Sequence, residues 1–453
     1  MEELLPPDVW FYIFSFLPTE DRHTVRTCNR YMKQLVDHHY LWREHVVTLS
    51  DLRRYTYGFW DTLQQRRLTR VAVQHLRRKE WRRLVKFLPT VTAIVFVDGG
   101  RLYKQKYLDN LARFPCLRDL GVRNATWDEP MLGLSLIQQL QDRLTHLSVC
   151  NVRLPCTAGF IRAVSHLVNL EHLLFHQYRE NYGLNSVRPV PRDAFHGMLL
   201  SLKKLRYLSW GMREEPPEPL PEDYFSPPDP DQSDLYGGPS LLSLELVDYP
   251  ETILPVNALR SLTMLKSLTV RFRYIKGGVD CCLKYWLSDL IQLETLNIIG
   301  VNSLKVYTPI IPPTVTRLTL RVAITLKDMD SIASTVPALE YLDIEQSRSS
   351  GSLCRRIPTL FPQLKMLRIR FFSREPDKEL LSLHRLKHLV QLELLVEQSF
   401  IPRDYLNGHP WPSPNVQGLI SQLQEMSENR ITIVTTMRQR NPLRECDCVW
   451  EGD

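Results

Sequence analysis

Charged and polar side chains alternate with leucine and isoleucine over much of the second half of the chain. Arginine recurs at these positions, and its planar guanidinium matches carboxylate and phosphate groups with two parallel hydrogen bonds. The chemistry that this pattern favours is recognition of another molecule. We predict that the residues which bind a protein substrate or partner are Arg271, Arg317, Arg321, Tyr341, Asp343, Glu345, Arg368 and Arg370.

Motifs for bond-making chemistry are missing from the sequence. It has no Walker loop, no Gly-x-Ser-x-Gly and no His-Glu-x-x-His. His166, His172 and His176 lie close together, but no acidic partner is evident, and His172 and His176 are expected to point outward from one strand. We therefore predict no catalytic residues and no cofactor.

The nine cysteines are odd in number and irregular in spacing, which argues against a disulfide framework. The pairs Cys281–Cys282 and Cys446–Cys448 lack the second half of a zinc site, so no metal site is expected. The first residues carry no signal-peptide pattern. No apolar run reaches the roughly 18 residues that span a bilayer, so no membrane partner is expected. These features predict a cytoplasmic or nuclear protein.

A Leu-x-x-Leu-x-Leu pattern recurs along the chain and determines which elements hold the charged residues. Clear copies begin at residues 117, 144, 170, 205, 241, 265, 293, 315, 339, 364 and 389, and a weaker copy begins at Val91. Most steps are about 24 to 27 residues, the period of leucine-rich repeats. Each copy predicts a short strand with one buried face, and neighbouring copies must stack to bury it. The fold class predicted is therefore an α/β leucine-rich-repeat solenoid, a horseshoe whose concave face carries the charged positions.

A second signal precedes the repeats, in residues 4–42. Val9, Ile13 and Leu17 recur every four residues after Pro6 and Pro7, which predicts a helix with a wide apolar face. Two further short helices are predicted to follow it. About forty residues cannot cover so much apolar surface alone, so the excess must meet the repeats or another protein.

This block resembles the F-box. The family pattern is matched by Leu5, Pro6, Asp8, Val9, Ile13, Phe14, Ser15, Leu17, Pro18, Asp21, Cys28, Leu41 and Trp42. The sequence departs from it at Trp10, Arg22, Thr27 and Tyr31, and Arg22 puts a charge near the expected apolar interface. Together with the repeats, the block makes nearly the whole chain similar to the F-box/leucine-rich-repeat proteins, with three F-box helices preceding the solenoid.

The resemblance implies a role. F-box proteins are substrate receptors of SCF-type cullin–RING ubiquitin ligases, in which the F-box binds the SKP adaptor and the repeats hold the substrate. The adaptor would bring the cullin and the RING subunit. The residues implied in adaptor binding are Leu5, Pro6, Val9, Ile13, Phe14, Leu17, Pro18, Leu41 and Trp42. The alternative is a scaffold that works without a ligase.

The remaining segments complete the predicted organisation: an F-box over 1–45, a basic helical linker or cap over 46–90, the solenoid over 91–436 and a tail over 437–453. An amphipathic helix is predicted over 73–87, with Arg78, Arg82 and Lys86 on its outer face. Nucleic-acid binding there is an alternative, but the net charge of +7 is modest for this length, so a solvated face is favoured. The acidic, proline-rich insertion over 211–238 is predicted to be a mobile loop.

Overall fold

The computed structural model describes residues 5–17, 19–74, 78–97, 100–101, 111–126, 139–177, 190–212, 220–229, 231, 235–249, 254–272, 282–300, 308–322, 324–346, 353–371, 376–396 and 412–435. The described chain divides into two compact units, one reaching Lys204 and the other beginning at Leu205. No helix among these residues is long and apolar enough to cross a membrane.

Three short helices open the first unit: α1 (Pro7–Ser15), α2 (Thr19–Cys28) and α3 (Arg30–Val36). Proline is tolerated at the first position of α1, because the N–H that it lacks would have no partner inside the helix. The Asn29 side chain caps α3 by accepting from the Met32 N–H at 2.8 Å. A single 3₁₀ turn, His39–Trp42, closes the block and buries Leu41 and Trp42.

A parallel sheet forms the rest of the first unit. Its strands are β1 (Val46–Leu49), β2 (Arg70–Gln74), β3 (Ala93–Val97), β4 (Gly100–Arg101), β5 (Asp119–Thr126), β6 (His146–Arg153) and β7 (His172–Gln177). The α-helices between strands are α4 (Tyr57–Gln65), α5 (Arg78–Phe87) and α6 (Thr157–Val164), and α7 (Arg192–Ser201) follows β7. Two 3₁₀ turns, Leu52–Arg54 and Leu111–Arg113, complete the described connections.

Close stacking of the strands explains two local residue choices. Gly121 on β5 lies opposite Val95 on β3, and a Cβ at this position would overlap Cγ2 of Val95. Asn124 and Asn151 adopt positive φ angles of 50° and 53°, which asparagine tolerates better than most residues. The Asn151 amide donates to the Asn124 side-chain oxygen at 2.8 Å, so neighbouring repeats are tied together where the strands bend.

The second unit repeats the same arrangement. Its parallel strands are β8 (Tyr207–Gly211), β9 (Ser243–Tyr249), β10 (Ser267–Phe272), β11 (Thr295–Ile299), β12 (Arg317–Arg321), β13 (Tyr341–Gln346), β14 (Met366–Phe371), β15 (Gln391–Val396) and β16 (Thr432–Val434). The helices are α8 (Leu283–Asp289), α9 (Leu326–Thr335), α10 (Ile357–Leu360) and α11 (Pro414–Met426), with 3₁₀ turns at Thr308–Ile310 and Lys378–Arg385.

The inward positions of the repeat pattern form the core. Leu342 and Ile344 on β13 are fully buried, and they lie level with Leu367 and Ile369 on β14. Stacking in this register buries a continuous column of aliphatic side chains. The predicted α/β leucine-rich-repeat fold, in which short helices precede stacked parallel strands, is confirmed.

The segment predicted as a helical linker contains two strands of the sheet. Val46–Leu49 pairs with Arg70–Gln74, which in turn pairs with β3, so the sheet begins well before residue 91. The helix predicted over 73–87 begins at Arg78. Residues 70–74 read Arg-Val-Ala-Val-Gln, and their β-branched residues favour a strand without supplying the leucine pattern.

Part of the acidic insertion is packed, which corrects the predicted mobile loop for residues 220–229. Tyr224 and Phe225 are buried. The Asp229 N–H donates to the Leu235 carbonyl at 2.7 Å, and the Gly237 N–H donates to the Pro227 carbonyl at 2.8 Å. Two aromatic side chains anchor a segment whose average composition indicates disorder. Residues 213–219 and the predicted tail over 437–453 lie outside the described residues.

Candidate functional site

The most exposed apolar surface of the F-box-like block lies on α1. Leu5, Val9 and Ile13 are 43%, 40% and 38% exposed, and Phe16, just beyond the helix, is 69% exposed. Positions 9, 13 and 16 are spaced by four and three residues, so they share one side of the helix. A contiguous exposed apolar patch of this kind is typical of an interaction surface.

The structure divides the predicted adaptor-binding residues into two groups. Leu5, Pro6, Val9 and Ile13 are exposed, and Leu17 is partly exposed. Phe14, Leu41 and Trp42 are buried within the chain, so we correct their role: they support the exposed face from beneath and do not form it. Their burial follows from the 3₁₀ turn, which folds back on α1 and α3. Pro18 lies outside the described residues.

Three exposed aromatic residues near α1 were not among the adaptor-binding residues predicted from the sequence. They are Tyr12, Phe16 and Tyr40, which are 67%, 69% and 57% exposed. Phe16 continues the helical spacing from Val9 and Ile13, so the pattern contained a signal for it. Tyr40 had no such signal, because only the turn after α3 brings it near α1.

Arg22, one of the residues that depart from the F-box pattern, stabilises the end of α1. Its guanidinium donates to the carbonyls of Phe14 at 2.9 Å, Ser15 at 3.0 Å and Leu41 at 2.7 Å. The last carbonyls of a helix have no partner inside the helix, and a cation there also interacts favourably with the helix dipole. The charge is therefore used inside the block and does not intrude on the exposed apolar face.

A buried ion-pair cluster joins the block to the segment that follows. The Asp37 carboxylate accepts from Arg26 at 2.9 Å and from Arg66 at 2.7 Å. Arg66, which caps the C-terminal end of α4, also stacks on the Trp42 ring at 3.6 Å. Burial alone would raise the pKa of Asp37, but hydrogen bonds and charge from both arginines outweigh it and lower the pKa. The carboxylate is therefore held ionised.

Two histidines lie beside the same tryptophan. The ring centroids of His45 and His23 lie 5.1 Å and 5.8 Å from that of Trp42. Burial lowers the pKa of both imidazoles, and the charge of Arg66 lowers it further. Both histidines are therefore neutral at physiological pH, and acid would charge them beside the arginines.

The charged ladder in the second unit is an internal network. Arg368 lies level with Asp343 on one neighbouring strand and Glu393 on the other. Its guanidinium donates to Glu393 at 2.5 Å and to Asp343 at 3.3 Å. Burial would lower the pKa of Arg368, but the Glu393 hydrogen bond and surrounding negative charge raise it. Arg271 is likewise paired with Glu245 at 2.8 Å.

This network leaves few of the predicted substrate-binding residues exposed. Arg370 and Asp343 are each only 2% exposed, and Tyr341 is 9% exposed. Strands in a sheet lie about 4.8 Å apart, so long side chains on adjacent strands cover one another. Arg321 and Glu345 are half-buried, and Arg317 is exposed, with its guanidinium 4.4 Å from the centre of the Tyr341 ring. Among the predicted substrate-binding residues, Arg317 is therefore the best placed to meet a partner.

The first unit carries a polar groove at the N-terminal ends of its strands, with a volume of about 920 Å³. The His146 Nδ1 lies 2.7 Å from an Asp119 carboxylate oxygen, and the His146 ring stacks on His172 at 4.0 Å. His176 is fully buried, which corrects its predicted outward position. No group of three or more potential metal ligands occurs among the described residues.

Four of the described arginines between residues 46 and 90 form ion pairs. Arg53 and Arg54 pair with Asp51, Arg66 pairs with Asp37, and Arg70 pairs with Glu44. Arg82 and Lys86 remain exposed on α5, as the helical spacing predicts. A solvated face over Arg82 and Lys86 stays the favoured prediction.

Comparison with known proteins identifies the N-terminal block. Residues 3–48 match the F-box-like family. No curated protein sequence matches the chain. Among solved structures, the chain is similar to one in the "Structure of the Toll - Spatzle complex, a molecular hub in Drosophila development and innate immunity", with a TM-score of 0.38 and 14% identity over 80% of this chain. It spans about half of that chain, 48%, and a likeness this distant carries no argument about function.

The class of protein is therefore defined by two parts of the chain. An F-box-like domain of three short helices precedes repeated α/β units whose parallel strands stack side by side. F-box domains generally bind the SKP adaptor and are typically non-catalytic.

Proposed function

We propose that this chain is the substrate-recognition subunit of an SCF-type cullin–RING ubiquitin ligase. The observation that carries the proposal is the exposed apolar face of α1, formed by Leu5, Val9, Ile13 and Phe16 within the F-box-like domain. Through this face the chain would dock the SKP adaptor, which would bring the cullin and RING subunits. The chain itself would be non-catalytic and would act in the cytoplasm, the nucleus or both.

The repeats are proposed to hold the protein substrate. The exposed edge of the ladder in the second unit includes Arg317 over Tyr341, with the partly exposed Thr295 and Met366 at level positions on strands to either side. A cation held over an aromatic ring is a common element of protein recognition sites. The buried Asp343–Arg368–Glu393 network would fix the neighbouring strands and keep this edge rigid.

Adaptor binding is tested by replacing Val9 and Ile13 together with alanine in the full chain. Both side chains are exposed, so the fold should persist while the adaptor-binding surface loses its apolar centre. We expect co-purification of the SKP adaptor and cullin to fall at least tenfold, since each lost side chain contributes about 1–2 kcal/mol when buried. Ile291→Ala, which removes an exposed isoleucine from the second unit, is the matched control.

Undiminished adaptor capture by the Val9/Ile13 variant would contradict the proposal. If the wild-type chain captures no adaptor, the alternative of a ligase-independent scaffold is supported instead. Substrate binding is tested separately by comparing ubiquitination across the proteome in cells that carry the wild type, Arg317→Glu or the Val9/Ile13 variant. A substrate should lose ubiquitination both with Arg317→Glu and with the Val9/Ile13 variant. If proteins lose ubiquitination only with the Val9/Ile13 variant, recognition does not involve Arg317.

A further inference from the structure

A pocket of about 350 Å³ lies beside the exposed face of α1, and the proposed function does not account for it. It is lined by Asp8, Phe11, Tyr12, His38, His39 and Tyr40. Phe11 and Tyr12 come from α1, and the last three come from the turn that follows α3. The volume is large enough for one long side chain, not for an element of secondary structure.

Aromatic rings make up most of the pocket wall. Phe11 stacks on His38 with ring centroids 4.3 Å apart and planes 13° apart, and Tyr40 lies 6.4 Å from Phe11. Tyr12 and Tyr40 remain mostly exposed, so their faces are available to a ligand. The faces of phenylalanine and tyrosine rings carry partial negative charge and attract cations.

Asp8 supplies the one carboxyl group among the lining residues. It lies in the first turn of α1, is exposed, and forms no ion pair within the described part of the chain. Burial lowers the pKa of His38, and the charges of His39 and Arg67 lower it further, while Asp8 acts in the opposite direction. His38 therefore stays neutral, and its buried Nδ1 has no hydrogen-bond partner among the described residues.

We propose that this pocket binds the cationic side chain of a lysine or arginine from a partner protein. The aliphatic stem would lie against Phe11 and Tyr40, and the charged group would meet Asp8. Arg67 is near enough to influence His38 but is not among the lining residues, so it does not fill the site. An anionic side chain is disfavoured by Asp8, and a purely apolar one would leave the Asp8 carboxylate desolvated without a partner.

We assign the cationic side chain to the adaptor, because the pocket is continuous with the exposed apolar face of α1. Tyr12 lines the pocket and also contacts Phe16 edge-on at 4.9 Å, so the pocket and the exposed apolar face meet. A protein that covers Val9 and Ile13 therefore reaches the pocket without leaving its docking surface. This assignment rests on the proposed adaptor docking, whereas the chemistry of the pocket does not.

The first test uses the full chain and a small probe. Nα-acetyl-arginine amide is added at about pH 8, where histidine is neutral, and binding is read by saturation-transfer NMR. Nα-acetyl-citrulline amide, which has a similar shape and no charge, is the comparison ligand. We expect saturation of the arginine probe only, weakened about two- to fivefold by Asp8→Asn and by a similar factor by Tyr40→Ala. Asp61→Asn, an equal charge change on α4, should have no effect.

Equal saturation of both probes, or a signal unchanged in Asp8→Asn and Tyr40→Ala, would overturn the cation pocket. The second test measures adaptor affinity for the same variants, and the same two- to fivefold losses are expected. If the probe binds as expected while the wild-type chain does not bind the adaptor, the proposed function fails and the pocket stands. If the adaptor binds all variants equally, the cation comes from another protein and our assignment of its owner is wrong.

Discussion

Replacing Asp37 with asparagine should open the F-box-like domain, because this single carboxylate neutralises two arginines. Asp37 and Arg66 have side chains only 8% and 6% exposed, and Arg26 is 27% exposed. Asparagine keeps the volume but removes the charge and points amide hydrogens at the guanidinium groups. Removing one partner of a buried pair costs about 3–5 kcal/mol, since the other charge is left without compensation.

This cost corresponds to an increase of about 10²- to 10⁴-fold in the opening equilibrium. Hydrogen-exchange mass spectrometry on peptides covering α2 and α3 should show it as faster exchange, with peptides from the second unit unchanged. The exposed pair Arg162–Asp193 supplies the control, since Asp193→Asn should leave exchange almost unaltered. Adding Arg66→Met to Asp37→Asn should recover part of the loss, because the unpaired guanidinium is then removed.

The pH dependence gives an independent check. The folded pKa of Asp37 is lowered, so its contribution is present above the unfolded value of about 3.9 and is lost as the pH falls through the folded value. The difference between wild type and Asp37→Asn should therefore shrink below about pH 4. A change in exchange of less than tenfold at neutral pH, or a difference that persists in acid, would refute the reasoning.

Three further predictions concern single residues. Because burial lowers the folded pKa of His45 below about 6.5, the F-box-like domain should lose stability on acidification from pH 7.5 to 5.5, and His45→Gln should reduce that loss in thermal melts. Arg370→Glu should destabilise the second unit by at least about 3 kcal/mol, because it buries a second carboxylate beside Asp343. Arg317→Glu changes an exposed residue and should not destabilise the unit. Equal melting temperatures of the two variants would be evidence against the buried network. Phe225→Ala should cost about 3–5 kcal/mol in urea unfolding, whereas no loss would mean that residues 220–229 do not pack.

The leucine pattern was sufficient to predict the repeated strands. The apolar positions of Leu-x-x-Leu-x-Leu predict which side chains turn inward, and Leu342, Ile344 and their equivalents are buried as expected. The spacing of Val9 and Ile13 likewise predicts that their side chains share one side of α1. Side-chain direction repeats every two residues in a strand and every 3.6 residues in a helix, so it can be predicted from the order of residues alone. Val46–Leu49 and Arg70–Gln74 lack the pattern, and only their pairing in the sheet identifies them as its first strands.

The partners of the polar side chains were decided by the tertiary structure alone. The sequence predicts that Arg368 and Arg370 lie on the same side of β14. It does not predict that Asp343 and Glu393, each 25 positions from Arg368, neutralise this cluster. In the same way, nothing near Arg22 in sequence reveals that it caps α1, and nothing near Tyr40 places it beside Asp8. Whether a charge is free to bind a partner depends on neighbours brought close by stacking, and those neighbours are distant along the chain.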